Sequence, residues 1–276
     1  LNSETKLMKR RLKAEKSRKK DGRPHVVDYF HQVEDGYSHL ASQVLEQFAQ
    51  RYDIELRCHL VRGPEGKNAP DAPLLLKLSR YDSALIADEY GLNFPRGSNS
   101  PSPEDVSQVN SLLANAPQTE LPRLMATAGD ALWSSDEAAL GALVDQHGCA
   151  SPEDTEARLN AATALRAQLK HYSGAMFHYE GEWYWGVDRL HYLEARLAGL
   201  GADRHPNQPY ITQCPDVSIE GVNDASELTL EFFPSLRSPY TSIVFDETVE
   251  LAKKAGVNLV MRPVLPMVMR GVPATR

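Results

Sequence analysis

The feature that most constrains this 276-residue chain is a strand–helix–strand pattern that occurs twice. In the first copy, 25–33 and 54–61 carry the apolar runs of strands, and 37–52 has apolar residues at helical spacing between them. A shift of 203 residues places Asp28-Tyr29-Phe30 on Glu231-Phe232-Phe233 without a gap. This match indicates a duplicated unit. Each copy should form two parallel strands joined by a helical crossover.

Between the two copies, the sequence predicts a mostly helical segment at 70–172, with breaks at 95–103, 117–122 and 151–152. A hairpin should follow, because Met176–Tyr179 and Trp183–Trp185 flank a Glu-Gly-Glu turn. Asp188 to Leu200 then has the apolar spacing of a closing helix.

These patterns divide the chain into four parts. We expect a basic lead-in at 1–23, a complete domain at 24–200, a linker at 201–226 and the first part of a second domain at 227–276. A strand–helix–strand piece of about fifty residues buries little apolar surface on its own. Residues beyond 276 or another chain are therefore expected to complete the second copy.

The lead-in is strongly basic. Residues 1–23 hold ten Lys or Arg against three acidic residues, so this segment carries +7 and the remainder of the chain −14. A basic arm for nucleic acid or an acidic partner is one interpretation. The other is a solvated, dispensable helix that places Leu7, Met8 and Leu12 against the body. No aromatic residue interleaves the cations, so a stacking platform for single strands is not supported, and we expect the solvated helix.

Cysteine and histidine usage argues against disulfides and metal sites. The three cysteines are scattered, with no C-x-x-C, as is typical of a reducing, cytoplasmic protein. The nine histidines show no H-x-x-H or H-E-x-x-H spacing. No apolar run approaches the ~20 residues that span a bilayer, and no apolar h-region follows the basic segment. We expect a cytoplasmic protein with no membrane contact.

Several motifs resemble one family. The run from Phe233 to Thr241, with Ser238-Pro239-Tyr240 at its centre, resembles the Ser-Pro-Tyr-Ser opening of glutathione-dependent 2-hydroxychromene-2-carboxylate isomerases and kappa-class glutathione transferases. The Arg262-Pro263 pair is similar to the Arg-Pro that follows the second strand in that family. In the first copy, 177–189 resembles its closing hairpin and Trp-Gly-x-Asp-Arg turn, and 80–95 resembles its helical insertion.

The resemblance implies an α/β, thioredoxin-like (DsbA-type) fold with a helical insertion, here duplicated. It also implies glutathione as cofactor, a small hydrophobic or aromatic substrate, and a possible homodimer. The thiolate would be held at a helix start by Ser238 as the catalytic residue. The implied cofactor-binding residues are Pro239, Tyr240, Arg262, Asp188 and Arg189.

The chemistry expected of Ser238 follows from helix physics. A hydroxyl and the unpaired N–H groups of the first turn form an anion site at the positive end of the helix dipole. A cysteine at this place would perform thiol–disulfide exchange, and neither copy has one. The alternative is that Ser238 only caps its helix, which contributes about 1 kcal/mol of stability.

The first copy departs from the family pattern in two places. Asp35-Gly36 stands where the second copy has Ser238-Pro239, and Ala175 stands where thioredoxin folds have a cis-proline beside the sulfur. An aspartate is a good N-cap, but its charge would repel a thiolate. We therefore expect Asp35 to cap its helix and the first domain to be inactive.

Three functions remain open at this point. The first is a glutathione-dependent isomerase or transferase. The second is a non-catalytic thioredoxin-like scaffold or interaction protein, or a relative of thiol–disulfide oxidoreductases that has lost its cysteines. The third is binding of nucleic acid or an acidic partner through 6–23, which is the least expected.

Overall fold

The structure, a computed structural model, describes residues 4–69, 71–97, 99–214, 225–235 and 237–265. The chain divides into two compact units, Leu1–Pro215 and Asp216–Arg276. No helix in the described ranges is long and apolar enough to cross a membrane. The end of the predicted second copy, at 266–276, and the part of the predicted linker at 215–224 lie outside the described residues.

The first unit is built on a four-stranded mixed sheet. Its strands are β1 Val26–His31, β2 Glu55–Leu60, β3 Met176–Tyr179 and β4 Glu182–Trp185, in the order β2-β1-β3-β4. Strand β1 runs parallel to β2 and antiparallel to β3, and β3 runs antiparallel to β4. This order and these directions are those of a thioredoxin-like domain, which confirms the predicted fold class.

Eight helices surround this sheet in the described part of the first unit. They are α1 Glu4–Lys20, α2 Gly36–Arg51, α3 Ala72–Glu89, α4 Pro103–Asn115, α5 Leu121–Trp133, α6 Glu137–His147, α7 Pro152–Gln168 and α8 Gly186–Gly199. Helices α3 to α7 form the helical insertion between β2 and β3. The predicted breaks are confirmed: Ser102 and Ser151 cap α4 and α7, and a proline takes the first position of each helix.

The core of the first unit lies between the sheet and α2, with α5 on the far side of that helix. Tyr29 and Phe177, from β1 and β3, place their ring centroids 4.7 Å apart, and Phe48 of α2 packs edge-on against Phe177. Helices α2 and α5 approach closely at Gly129, where an added Cβ would lie 2.4 Å from His39 Nδ1. A side chain at position 129 would therefore force the His39 ring or α5 to shift.

Helix α1 is held to the body by charge rather than by apolar packing. Arg11 donates to Glu182 of β4 at 2.7 Å, and Arg23, just after the helix, donates to Glu180 at 2.7 Å. Met8 and Leu12 are exposed. The expectation that these two side chains pack against the body is therefore wrong.

The residues after α8 run back along the first unit. Glu194, fully buried in α8, accepts hydrogen bonds from the Tyr52 hydroxyl, from the backbone N–H groups of Ile211 and Thr212, and from the Thr212 hydroxyl. Asp203 pairs with Arg51 at 2.9 Å. The first twelve or so residues of the predicted linker thus contact α2 and α8. They supply hydrogen-bond donors that the buried Glu194 carboxylate requires.

The second unit contains β5 Thr229–Phe232, α9 Pro239–Ala255 and β6 Asn258–Met261. Strands β5 and β6 pair in parallel, so the predicted strand–helix–strand unit is confirmed in the described residues. Gly256 ends α9 in the left-handed conformation, at φ 68°, which favours glycine.

The two strand–helix–strand units match residue by residue. Strands β1 and β5, helices α2 and α9, and strands β2 and β6 each begin 203 residues apart. The strand registers also match, since Val26 pairs with Glu55 and Thr229 pairs with Asn258. Cross-strand side-chain pairs coincide too: His59 donates to Asp28 at 2.8 Å, and Arg262 donates to Glu231 at the equivalent positions.

Candidate functional site

A cavity of about 490 Å³ opens at the N-terminal end of α2 in the first unit. The parallel strand β1 ends here and α2 begins, so the cavity lies at the edge of the sheet where ligands of α/β folds commonly bind. Tyr37, Leu75, Leu76, Tyr172 and Trp185 contribute its larger apolar surfaces. Its polar members include Gln32, Glu34, Asp35, Arg62 and Ser79.

Asp35 is fully engaged in holding this end of α2. Its carboxylate accepts from the Ser38 N–H at 2.9 Å, from the Ser38 hydroxyl at 2.9 Å and from the Ser79 hydroxyl at 2.6 Å. Burial raises the pKa of Asp35, and these hydrogen bonds oppose the rise. The prediction that Asp35 caps α2 is confirmed. Its oxygens are acceptors at the place where a thiolate would require donors.

A second carboxyl group lies next to Asp35. Glu34 accepts from the Gln32 side-chain amide at 3.0 Å and lines the cavity. Burial raises the pKa of Glu34, while backbone and Gln32 hydrogen bonds oppose the rise and Asp35 adds to it by repulsion. Two adjacent carboxyl groups make this helix start unsuitable for a negatively charged sulfur, because ionised carboxylates repel it and only accept hydrogen bonds.

Ser38 connects the start of α2 to two loops. Its hydroxyl accepts from the Gln32 N–H at 3.2 Å and from the Ala175 N–H at 2.8 Å, and donates to Asp35. Ala175 has φ 53°, and the described residues contain no cis peptide bond. Gly174 is needed beside it, because an added Cβ would meet Gln32 and Ser38 within 3 Å. Sequence reasoning missed this role of Ser38, although its alignment with Thr241 was a usable signal.

Asp188 also lies near the start of α2. Asp188 shares a small cavity of about 70 Å³ with Tyr37, Asp82 and Trp185, and pairs with Arg189 at 3.4 Å. Burial raises the pKa of Asp188, and the neighbouring Arg189 opposes the rise. The Tyr37 hydroxyl donates to Asp82 at 2.7 Å. The first unit therefore brings Asp188 close to the helix start that lacks a thiolate donor.

The start of α9 in the second unit is built differently. Ser238 occupies the N-cap position, but its side chain makes no capping hydrogen bond, and Pro239 takes the first helical position. The Thr241 hydroxyl accepts from the Ser235 N–H at 3.1 Å, as Ser38 does from Gln32. The backbone geometry of the helix start is thus repeated, while the cap hydroxyl of Ser238 is left for other partners.

The other predicted residues of the second unit have surface positions. Tyr240 is exposed in the first turn of α9. Arg262 follows β6 and forms an exposed ion pair with Glu231 of β5. A bridge between Ser235 and Val264 places the Arg262-Pro263 segment at the same edge of the sheet as the start of α9. The predicted site residues are thus divided: Asp188 and Arg189 belong to the first unit and the others to the second.

Neither helix start in the described residues has thiol or metal chemistry of its own. Cys58 is buried on β2, and burial raises the pKa of its thiol to about 12, which makes it inert near neutral pH. Cys149 and Cys214 are exposed and free. Within the described ranges, no group of three or more His, Cys, Asp or Glu could hold a metal ion. Thiol chemistry at either helix start would therefore use a thiol from elsewhere.

Comparisons with known proteins give structural likenesses only. No family model and no curated protein matches the chain. Among solved structures, it is similar to a 2-hydroxychromene-2-carboxylate isomerase, at 21% identity and a TM-score of 0.47, covering 64% of this chain and 96% of that one. The cytosolic disulfide reductase DsbM from Pseudomonas aeruginosa, described with GSH, gives 17% identity and a TM-score of 0.43 over 64% and 97% of the two chains.

A putative protein disulfide isomerase from Nitrosomonas europaea gives 13% identity and a TM-score of 0.46, over 64% of this chain and 96% of that chain. These likenesses are weak in sequence and in superposition. The strand order and strand directions of the first unit define the fold, and these likenesses do not.

Proposed function

We propose that this protein is a glutathione-dependent isomerase or transferase of the DsbA-like thioredoxin fold, in which Ser238 holds the thiolate. One observation carries the proposal: the Ser238 hydroxyl stands at the start of a 17-residue helix without a capping bond. The hydroxyl and the first-turn N–H groups can then donate to the same anion. Asp35, at the equivalent place, offers acceptors instead.

Bound glutathione would supply a nucleophilic thiol. Ser238 would donate to its sulfur, and the dipole of α9 would favour the thiolate over the thiol. Pro239 fixes the backbone at the first helical position and has no N–H of its own to satisfy. Tyr240 and Phe233, both exposed beside this helix start, are apolar surfaces suited to a hydrophobic or aromatic substrate.

The proposal includes duplication of an ancestral unit. The shared element starts, the shared strand register and the shared hydroxyl-to-backbone bond of Ser38 and Thr241 support it. In this view the first copy kept the fold and replaced the thiolate donor with a carboxylate cap.

The test is Ser238→Ala in the full protein, assayed for glutathione affinity by calorimetry and for the pKa of the bound thiol by thiolate absorbance. We expect weaker binding and a higher thiol pKa in the variant, because the sulfur loses a donor. Ser242→Ala is the matched control, since the Ser242 hydroxyl lies one turn further along and donates to the Pro239 carbonyl.

Unchanged affinity and unchanged thiol pKa in Ser238→Ala would reject the proposal. The second candidate function is then a non-catalytic thioredoxin-like scaffold. It is favoured by the complete engagement of Asp35, which uses the usual thiol position for structure. A scaffold should bind no glutathione at either helix start, in the wild type as in both variants.

A further inference from the structure

Helix α3 is inverted relative to an ordinary surface helix. Its inward face buries Ser79, Ser83 and Ala87. Its outward face exposes a stripe of large apolar side chains, each more than half exposed: Leu74, Leu78, Tyr81 and Leu85. A helix that only covers a core buries its apolar residues and exposes its polar ones. The outward face of α3 therefore has the composition of an interface.

The inward face has its own explanation. Ser79 donates to Asp35 at 2.6 Å, and an added Cβ at Gly36 would lie 2.6 Å from the Ser83 hydroxyl. Small polar residues are needed here because α3 lies directly against the start of α2. This requirement does not apply to the opposite face, where polar residues would fit as well. The four large apolar residues there need a separate cause.

A groove of about 550 Å³ runs along the apolar stripe, between α3 and the loop after it. Ala84 and Pro95 add apolar surface to it, and its charged lining residues, among those the structure describes, are Lys77, Arg80 and Arg96. Arg96 is paired with Asp88, which lies outside the groove. The groove is thus apolar along its length and positively charged at its border.

We propose that this groove is the docking site for an acidic amphipathic helix of a partner protein. The stripe from Leu74 to Leu85 spans about 16 Å, which matches three turns of a helix. Such a helix would place its apolar residues at i, i+3 or i+4, and i+7 against the stripe. Its acidic residues would lie against the cations of the groove, which makes the charges complementary.

An antiparallel second copy of α3 fits this face less well. At helical spacing, Asp82 and Glu89 lie on the side of the stripe away from Lys77, where Asp82 also accepts from the Tyr37 hydroxyl. A two-fold axis perpendicular to the helices would bring each acidic side against its own copy, whereas an axis parallel to them would bring acid against base. The charges therefore disfavour the antiparallel pair, and the groove itself, whose described charged lining residues are all cations, favours an acidic partner.

The experiment uses two labelled amphipathic peptides of about 18 residues with the same leucine face, one carrying Glu and the other Lys at the polar positions. Fluorescence anisotropy with the full protein measures binding. We expect the Leu/Glu peptide to bind at least about tenfold more tightly than the Leu/Lys peptide. The difference should shrink in high salt, because the border charges are exposed.

Three variants locate the binding. Leu78→Glu should weaken the Leu/Glu peptide by about 30-fold or more, as loss of a central apolar anchor does. Lys77→Glu should weaken it by about tenfold. Leu12→Glu is the matched control, since Leu12 is a comparably exposed leucine of α1, and it should change nothing. If Leu78→Glu fails to fold by circular dichroism, Leu85→Gln takes its place.

Equal binding of the two peptides, no binding, or binding unaffected by Leu78→Glu and Lys77→Glu would each overturn the proposal. Sedimentation of the full protein without peptide provides a further outcome. If the chain forms a dimer of twice 30.7 kDa that Leu78→Glu dissociates, the occupant is a second copy and the acidic-helix proposal is wrong.

Discussion

The two strand–helix–strand units share backbone geometry and differ in what surrounds it. Leu40 and Phe48 on α2 are 1% and 0% exposed, whereas Ile243 and Leu251, their equivalents on α9, are 70% and 44% exposed. In the first unit, β3, α5 and α8 cover the shared core. The comparison teaches that strand–helix–strand geometry is specified locally. The contribution of each apolar side chain to stability depends on the elements that pack around it.

The largest difference is expected for core truncation. Phe48→Ala should lower the free energy of unfolding by about 3–5 kcal/mol, because it leaves a cavity in a closely packed core. The equivalent Leu251→Ala should change it by less than about 0.5 kcal/mol. Urea unfolding measures both, and tryptophan fluorescence reports on the first unit, which contains all three tryptophans. A large effect of Leu251→Ala would mean that its face is covered.

The helix starts should differ by a smaller amount. Asp35→Ala removes three hydrogen bonds and leaves the buried Ser79 hydroxyl without an acceptor, so we expect a loss of about 2 kcal/mol. Ser238→Ala should cost less than about 0.5 kcal/mol, because its hydroxyl makes no capping bond. Thermal unfolding of both variants checks the ranking. Equal losses would show that Ser238 caps its helix after all.

The cross-strand pair of the first unit should give an acid-sensitive contribution. Burial by itself would raise the pKa of Asp28, but the His178 imidazole, 3.9 Å away, and the hydrogen bond from His59 outweigh it and hold that pKa well below its ordinary value. The carboxylate therefore stabilises the fold above about pH 4, and this stability is lost as pH falls through the lowered pKa. Asp28→Asn should remove about 1–2 kcal/mol near neutral pH and flatten the acid limb. An unchanged acid limb would contradict the assignment.

Among the variants of the first unit, the smallest effect is expected at α1. Arg11→Ala removes a partly exposed ion pair with Glu182 and should cost about 0.5–1 kcal/mol, screened by salt. Deletion of 1–20 should lower the thermal midpoint by only a few degrees. A larger loss would make the basic helix an integral part of the first unit.

Local patterns in the sequence were sufficient to predict most of the fold. Apolar spacing places the strands and the hairpin to within about two residues, because these features depend on neighbours in the chain. The Asp35 cap was predictable for the same reason. The Pro- and Ser-rich breaks place the starts of α4 and α7, but α3 ends at Glu89, before the first predicted break, and the break between α5 and α6 was not predicted. The partner of the α1 cations was not predictable, because Arg11 meets Glu182 only after the chain folds.

The candidate site was less predictable. Ser79 reaches Asp35 from 44 positions away, and Ser38 reaches Ala175 from 137 positions away. Hydrogen bonds of such separation leave no periodic trace in one sequence. The exposed leucines of α3 have the same spacing that a buried face would have, so the pattern alone predicts burial and only the structure shows which face is turned inward.

The equivalent pairs Asp28–His59 and Glu231–Arg262 have a consequence for how such chains evolve. Under the proposed duplication, the two units of one chain are homologous and can be compared position by position. At these two positions both residues have changed, yet an acid still faces a base across the same pair of strands. Paired replacement of this kind is expected when selection maintains the contact between two positions. It also exchanged an imidazole, whose charge depends on protonation, for a guanidinium that is always charged.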